Sequence, residues 1–153
     1  MRLLVFVVGL HMNAMLGNGI RVLVVDDDED VRQVISDRLE QVGFAVVEAY
    51  DALRALAEMR QRHFDVVVTD CNMPYLNGLD FLRQCQLAWP ETRVIMMSAA
   101  LEKANELAVA RGAFGWLQKP FDADRLIALV CGAARLSGTL ARPSSESEPT
   151  ING

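Results

Sequence analysis

At 153 residues the chain is long enough for one domain with a sizeable core and too short for two ordinary ones. Its 52% hydrophobic and 23% charged residues suit a soluble globular protein and exclude a wholly disordered chain. A formal net charge of -5 argues against a nucleic-acid footprint, which needs clustered Lys and Arg, so any bound anion has to be met by local groups.

The chain opens on "MRLLVFVVGL", one positive charge before a short apolar run, a crude likeness to a secretory signal. No convincing cleavage site follows, and the run is far shorter than the roughly 20 residues a membrane-spanning helix requires. Residues 1–19 therefore read as an apolar N-terminal extension, with Met12 or Met15 as alternative starts. Cys71, Cys85 and Cys131 are odd in number, lack CxxC spacing and sit among apolar residues, so neither a disulfide framework nor a zinc site is expected. A reducing cytoplasm is the expected location.

From Arg21 onward short apolar runs alternate with helical periodicities. Five runs predict strands: 21–25, 44–49, 65–69, 93–97 and 114–118. Four are near-continuous Val, Ile, Leu, Met or aromatic runs, the pattern of strands covered on both faces; the second is more ambiguous. Between the first two, Val31, Val34, Ile35, Leu39 and Val42 predict a helix face, stopped by Gly43. Asp51 caps a second helix with Leu53, Leu56 and Ala57 inward. A third runs from about Asn77 to Leu87 with Leu79, Leu82 and Cys85 inward. The fourth carries Leu101, Ala104, Leu107 and Ala108 and ends at Gly112; the fifth, capped by Asp122, carries Leu126, Ile127 and Val130. The expected architecture is an α/β, doubly wound (βα)5 fold of flavodoxin-like type, a five-stranded parallel sheet with helices on both faces, over residues 20–136. The Ser-, Pro- and Glu-rich residues 137–153 read as a disordered tail and not as an output domain.

Such sheets bind ligands beyond the carboxyl ends of their strands. Asp26 and Asp27 follow strand one, Asp70 follows strand three, Ser98 strand four and Lys119 strand five. Three carboxylates on one edge repel unless a cation sits among them, and a hard divalent ion with oxygen ligands, Mg2+ with several retained waters, meets that need. With an ammonium and a hydroxyl beside it, the edge has what the three oxygens of a transferring phosphoryl group require. Asp70, alone at the end of a buried strand, is the candidate nucleophile; the Asp26–Asp27 pair suits metal.

The stretches "VLVVDDDEDVR", "DVVVTDCNMPYLNGLDFL", "VIMMSA" and "GAFGWLQKPF", in register on those strand ends, make the chain resemble the receiver domain of bacterial two-component response regulators, from Arg21 to about Leu136. The resemblance implies the strand order 2-1-3-4-5 and a phosphoacceptor role for Asp70, supplied by a sensor histidine kinase or phosphotransfer protein. It implies Mg2+ held by Asp27, Asp70 and the backbone carbonyl of Asn72, with Asp26 acting largely through water. Ser98 and Lys119 would contact phosphoryl oxygens, Ser98 and Trp116 would form the switch, and the peptide before Pro120 would be cis. Trp116 stands where the family usually has Tyr or Phe, so a core tryptophan with a satisfied N–H is an equal reading. Asp28, Glu29 and Asp30 suit a helix N-terminus, Cys71 reads as an inert thiol, and His11 and His63 have no catalytic neighbours in sequence.

The expected function is a stand-alone phosphorylation-controlled binding module, not an enzyme beyond its own phosphoryl transfer and dephosphorylation. Its signalling surface would be the fourth strand, the 101–111 helix and the 122–135 helix, acting on a protein target. Direct nucleic-acid or membrane contact is not expected, and a phosphorylation-dependent dimer stays open. The alternatives are a Mg2+-dependent haloacid-dehalogenase-like phosphohydrolase, whose DxD pattern occurs within "DDDED" only by accident of an acid run and without a cap insertion, the receiver half of a transcription factor, and a degenerate receiver, against which the intact acids, Ser98 and Lys119 argue.

Overall fold

The computed structural model describes residues 17–99, 109 and 111–136. Five strands, β1 (Arg21–Val25), β2 (Ala45–Ala49), β3 (Val66–Asp70), β4 (Arg93–Ser98) and β5 (Gly115–Gln118), form one sheet in the order β2-β1-β3-β4-β5. Every pairing is parallel. The helices are α1 (Glu29–Gln41), α2 (Ala52–Gln61), α3 (Gly78–Ala88) and α4 (Ala123–Leu136).

Consecutive residues of the central strands feed opposite cores, which is why their runs lack alternation. Leu23, Val25, Val67, Val94 and Met96 pack with Leu56 and Met59 of α2 and Phe81, Leu82 and Cys85 of α3. Val22, Val24, Val66, Val68, Ile95 and Met97 pack on the other face with Ile35 and Leu39 of α1 and Leu126 and Val130 of α4. Each such side chain contributes about 1.5–3 kcal/mol relative to exposure. The ambiguous second run is the edge strand β2, only part-covered.

Local chemistry sets the helix ends. The Asp28 carboxylate accepts from the N–H groups of Asp30 (3.0 Å) and Val31 (3.2 Å), and Glu29 and Asp30 lie in the first turn, where acids meet the positive end of the helix dipole. Asp51 caps α2 through the Arg54 N–H (2.7 Å), Asn77 caps α3 through that of Asp80 (2.9 Å), and Asp122 accepts from Arg125 at the start of α4 (2.8 Å). Gly43 follows α1 at φ 96°, a left-handed conformation that glycine adopts without strain.

Two inward assignments are corrected. Val34 is 61% exposed and Leu53 57% exposed. In α2 the buried stripe is Ala52, Ala55, Leu56 and Met59, a set at helical spacing that turns Leu53 to the flank. In α1 the stripe of Ile35 and Leu39 leaves Val34 a third of a turn away. The predicted 101–111 helix falls mostly, and residues 1–16 and the tail 137–153 wholly, outside the described residues. Among the described residues no helix is long and apolar enough to cross a membrane.

Candidate functional site

Parallel pairing delivers the strand ends to one edge. Asp70 is the last residue of β3, paired with Met97 of β4, so Ser98 ends the neighbouring strand one position further on. Asp26 follows β1, where Val25 pairs with Thr69. Asp26, Asp27 and Asp70 each offer a carboxylate oxygen within 4.8 Å of the others. Asp26 is 0% exposed and Asp70 is buried, whereas Asp27 is open to solvent.

Every polar group of Asp26 has a partner. Its Oδ1 accepts the Asp28 N–H at 2.9 Å and its Oδ2 the Lys119 ammonium at 2.7 Å. Its backbone N–H donates to the Ala49 carbonyl at 3.2 Å, and its own carbonyl accepts Arg32 Nη1 at 2.9 Å. Lys119 Nζ also lies 3.7 Å from Asp70 Oδ2, and its backbone N–H donates to the Ser98 carbonyl at 2.8 Å, joining the ends of β4 and β5. The Lys119–Pro120 peptide is cis.

The electrostatics follow from this packing. Burial pushes the Asp70 carboxyl above its usual range; Lys119 and the Asn72 backbone N–H pull it down, and the charges of Asp26 and Asp27 push it up again. Burial alone would lower the Lys119 ammonium, but its hydrogen bond to Asp26 and the charges of Asp70 and Asp26 raise it. The ammonium is therefore firmly protonated. Burial and the neighbouring Asp70 charge push the Cys71 thiol up to about 11, in keeping with an inert thiol.

Three hard oxygen donors around one point, one of them facing water, suit a divalent cation that retains part of its hydration shell, and the donor set fits Mg2+. Asn72 is exposed, and its N–H, rather than a side-chain atom, touches Asp70. Ser98 is buried at the edge beside Asp70. Trp116 is 7% exposed and packs on the face of α2 and α3; among the described residues its indole N–H has no hydrogen-bond partner. Beside Lys119, Asp30, Val31, Val34, Ala99, Pro120 and Phe121 line an apolar depression of about 520 Å³. The outward Val34 belongs to this surface.

Two residues at the site escaped the reading from sequence. Arg32 grips the Asp26 carbonyl, and its only sequence signal is a lone cation after a run of acids. Gly78 lets the loop after β3 close: its N–H donates to the Cys71 carbonyl at 2.9 Å, and a Cβ there would stand 2.7 Å from Cys71 Cα and 2.9 Å from the Asp70 carbonyl oxygen.

Residues 22–131 match the family model described as the response regulator receiver domain. The chain is 35% identical over 120 residues to chemotaxis protein CheY-3 of Vibrio cholerae, spanning 75% of this chain and 92% of that protein. It is 35% identical over 127 residues to the transcriptional regulatory protein PrrA of Mycobacterium tuberculosis, covering 82% of this chain but 54% of that longer one. Among solved structures it resembles chemotaxis response regulator CheY4 of Vibrio cholerae, with a TM-score of 0.70, 32% identity, and coverage of 74% of this chain and 98% of that one. A receiver domain protein from Clostridium thermocellum has a TM-score of 0.74 at 31% identity, covering 79% and 98%. The order of the sheet, the acids at its edge and these matches agree: the chain belongs to the response regulator receiver domain family.

Proposed function

We propose that the chain is a phosphoacceptor, taking a phosphoryl group onto Asp70 from a phosphohistidine of a sensor histidine kinase or phosphotransfer protein. One observation carries the reading: a buried carboxylate at the end of a central strand, with two further carboxylates within 4.8 Å and an ammonium at 3.7 Å. In the forward step an Asp70 oxygen attacks phosphorus while the bond from phosphorus to the donor imidazole nitrogen breaks. The electron pair returns to that nitrogen, which takes a proton from solvent.

Lys119, already charged and held by Asp26, meets one phosphoryl oxygen, and the Ser98 hydroxyl donates to another. Asp26, Asp27 and Asp70 with the Asn72 backbone would hold Mg2+, which neutralises charge on the phosphoryl oxygens when bound. Solvent enters on the Asp27 side, so water can later attack phosphorus, releasing inorganic phosphate and restoring the Asp70 carboxylate. The apolar depression around Val31, Val34 and Phe121 gives the donor protein a surface beside the acid. Output passes by protein contact through β4, Trp116 and α4, a surface that phosphate shifts only as far as it binds the active arrangement more tightly.

Intact mass after incubation with acetyl phosphate tests this. A gain of one phosphoryl is expected with Mg2+, none with EDTA and none in Asp70→Asn. Full, hydroxylamine-sensitive incorporation in Asp70→Asn would refute the assignment.

A further inference from the structure

Asp27 is the loosest member of the acid site. Among the described residues its side chain makes no hydrogen bond or ion pair, so its place is inherited from the backbone on either side. That backbone leaves the sheet just before it: the pairing of β1 with β2 ends at Val25 and Ala49, and with β3 at Val25 and Thr69. The Asp26 N–H still reaches the Ala49 carbonyl, but its C=O is the first acceptor of β1 beyond the ladder. A buried carbonyl without a partner is costly, and its peptide plane is free to rotate.

Arg32 supplies the partner. Its Nη1 donates to the Asp26 carbonyl at 2.9 Å while its Nε lies 3.4 Å from Glu48 Oε2 on the edge strand, and its side chain is 14% exposed. The planar guanidinium thereby spans the end of β1 and the end of β2 in one rigid fork, which a lysine cannot reproduce. The peptide it holds is the Asp26–Asp27 peptide, whose orientation decides where the Asp27 carboxylate projects.

We infer that Arg32 is a positioning residue that fixes the Asp26–Asp27 peptide through the Asp26 carbonyl and so presets the Asp27 carboxylate to share a cation with Asp26 and Asp70. The inference rests on the reading of those acids as a cation site. It differs in sign from the plain electrostatic expectation. A cation removed from the neighbourhood of three carboxylates would strengthen Mg2+ binding if charge alone mattered, whereas a lost brace weakens it.

The test is calorimetric titration of Mg2+ into the metal-free full chain for wild type, Asp27→Ala, Arg32→Met and Arg32→Lys, with thermal unfolding in EDTA as the check on folding. Arg32→Met is expected to bind about tenfold more weakly, the scale of losing a group that orients a metal ligand. Arg32→Lys, with the charge but one donor in place of the fork, is expected to fall between Met and wild type. At saturating Mg2+ the rate of phosphorylation by acetyl phosphate should return close to wild type, so that the concentration needed shifts more than the limiting rate. Equal or tighter binding by Arg32→Met overturns the inference and leaves the cation site standing. If the Met variant does not fold, Arg32→Lys binding like wild type does the same. Wild type that binds no Mg2+, or binds it as well after Asp27→Ala, instead overturns the cation site on which the inference depends.

Discussion

Lys119 occupies the place of a counter-ion, and removing it exposes what the acids want. In Lys119→Met the stem is kept and the ammonium is lost from 2.7 Å of Asp26 Oδ2 and 3.7 Å of Asp70 Oδ2. A unit charge at such distances near a protein surface interacts at about 4 kcal/mol before desolvation is counted. The net worth of a charge-assisted hydrogen bond is smaller, about 1.5–3 kcal/mol. That contact competes with any cation for Asp26, so its loss should tighten Mg2+ binding by about tenfold to a hundredfold, at 1.4 kcal/mol per decade. Calorimetric titration at fixed ionic strength measures this directly. The same variant should unfold at a lower temperature in EDTA at neutral pH, recover when Mg2+ is added, and take up phosphate from acetyl phosphate poorly, having lost the proposed partner for the phosphoryl oxygens. Unchanged or weaker Mg2+ binding in folded protein would refute the view that the ammonium and the metal share one set of acids.

Two further perturbations probe the acid and the loop beneath it. The folded-state pKa of Asp70 is raised above the 3.8 of an unperturbed group, chiefly by burial, so its ionisation costs stability. Between 3.8 and the raised value the folded chain binds more protons than the unfolded one, and stability falls as pH rises. Asp70→Asn in EDTA should therefore melt higher than wild type at neutral pH, with the difference shrinking as pH falls towards 4; a difference of opposite sign would reject this. Gly78→Ala places a Cβ 2.7 Å from Cys71 Cα and 2.9 Å from the Asp70 carbonyl, backbone that yields only by moving Asp70, the proposed phosphoacceptor. The expected cost is about 1–3 kcal/mol by denaturant titration, together with slower phosphorylation, and no change in either would show that the loop has room.

The legibility of this site varied by residue for physical reasons. "DVVVTD" announces a strand covered on both faces, and β3 with the buried Asp70 at its end is what forms. Asp26, Asp70 and Lys119 converge only because remote strands pair in parallel, and alternation of strands with helices was enough to imply that. Periodicity was too coarse for Val34 and Leu53, since a helix face about a third of the circumference wide does not say which flanking position it includes. The role of Arg32 depends on a carbonyl, and backbone acceptors leave no mark in a sequence. The closeness of Gly78 to Cys71 is likewise a matter of loop packing, and the lack of a partner for the Trp116 N–H among the described residues depends on what surrounds the indole.

The acids divide the site into a sealed wall and an open one: Asp26 is shut in the sheet edge, and Asp27 stands in water. The division bears on timing. An ion entering the proposed site from the Asp27 side has no element among the described residues to displace, so its exchange need not be coupled to local unfolding and can run ahead of the slower openings that expose strand amides. Occupancy of the acids would then follow the surrounding ion concentration as a rapid pre-equilibrium, and on the proposed phosphoacceptor reading the arrival of a phosphodonor would set the onset of the signal and the attack of water its duration.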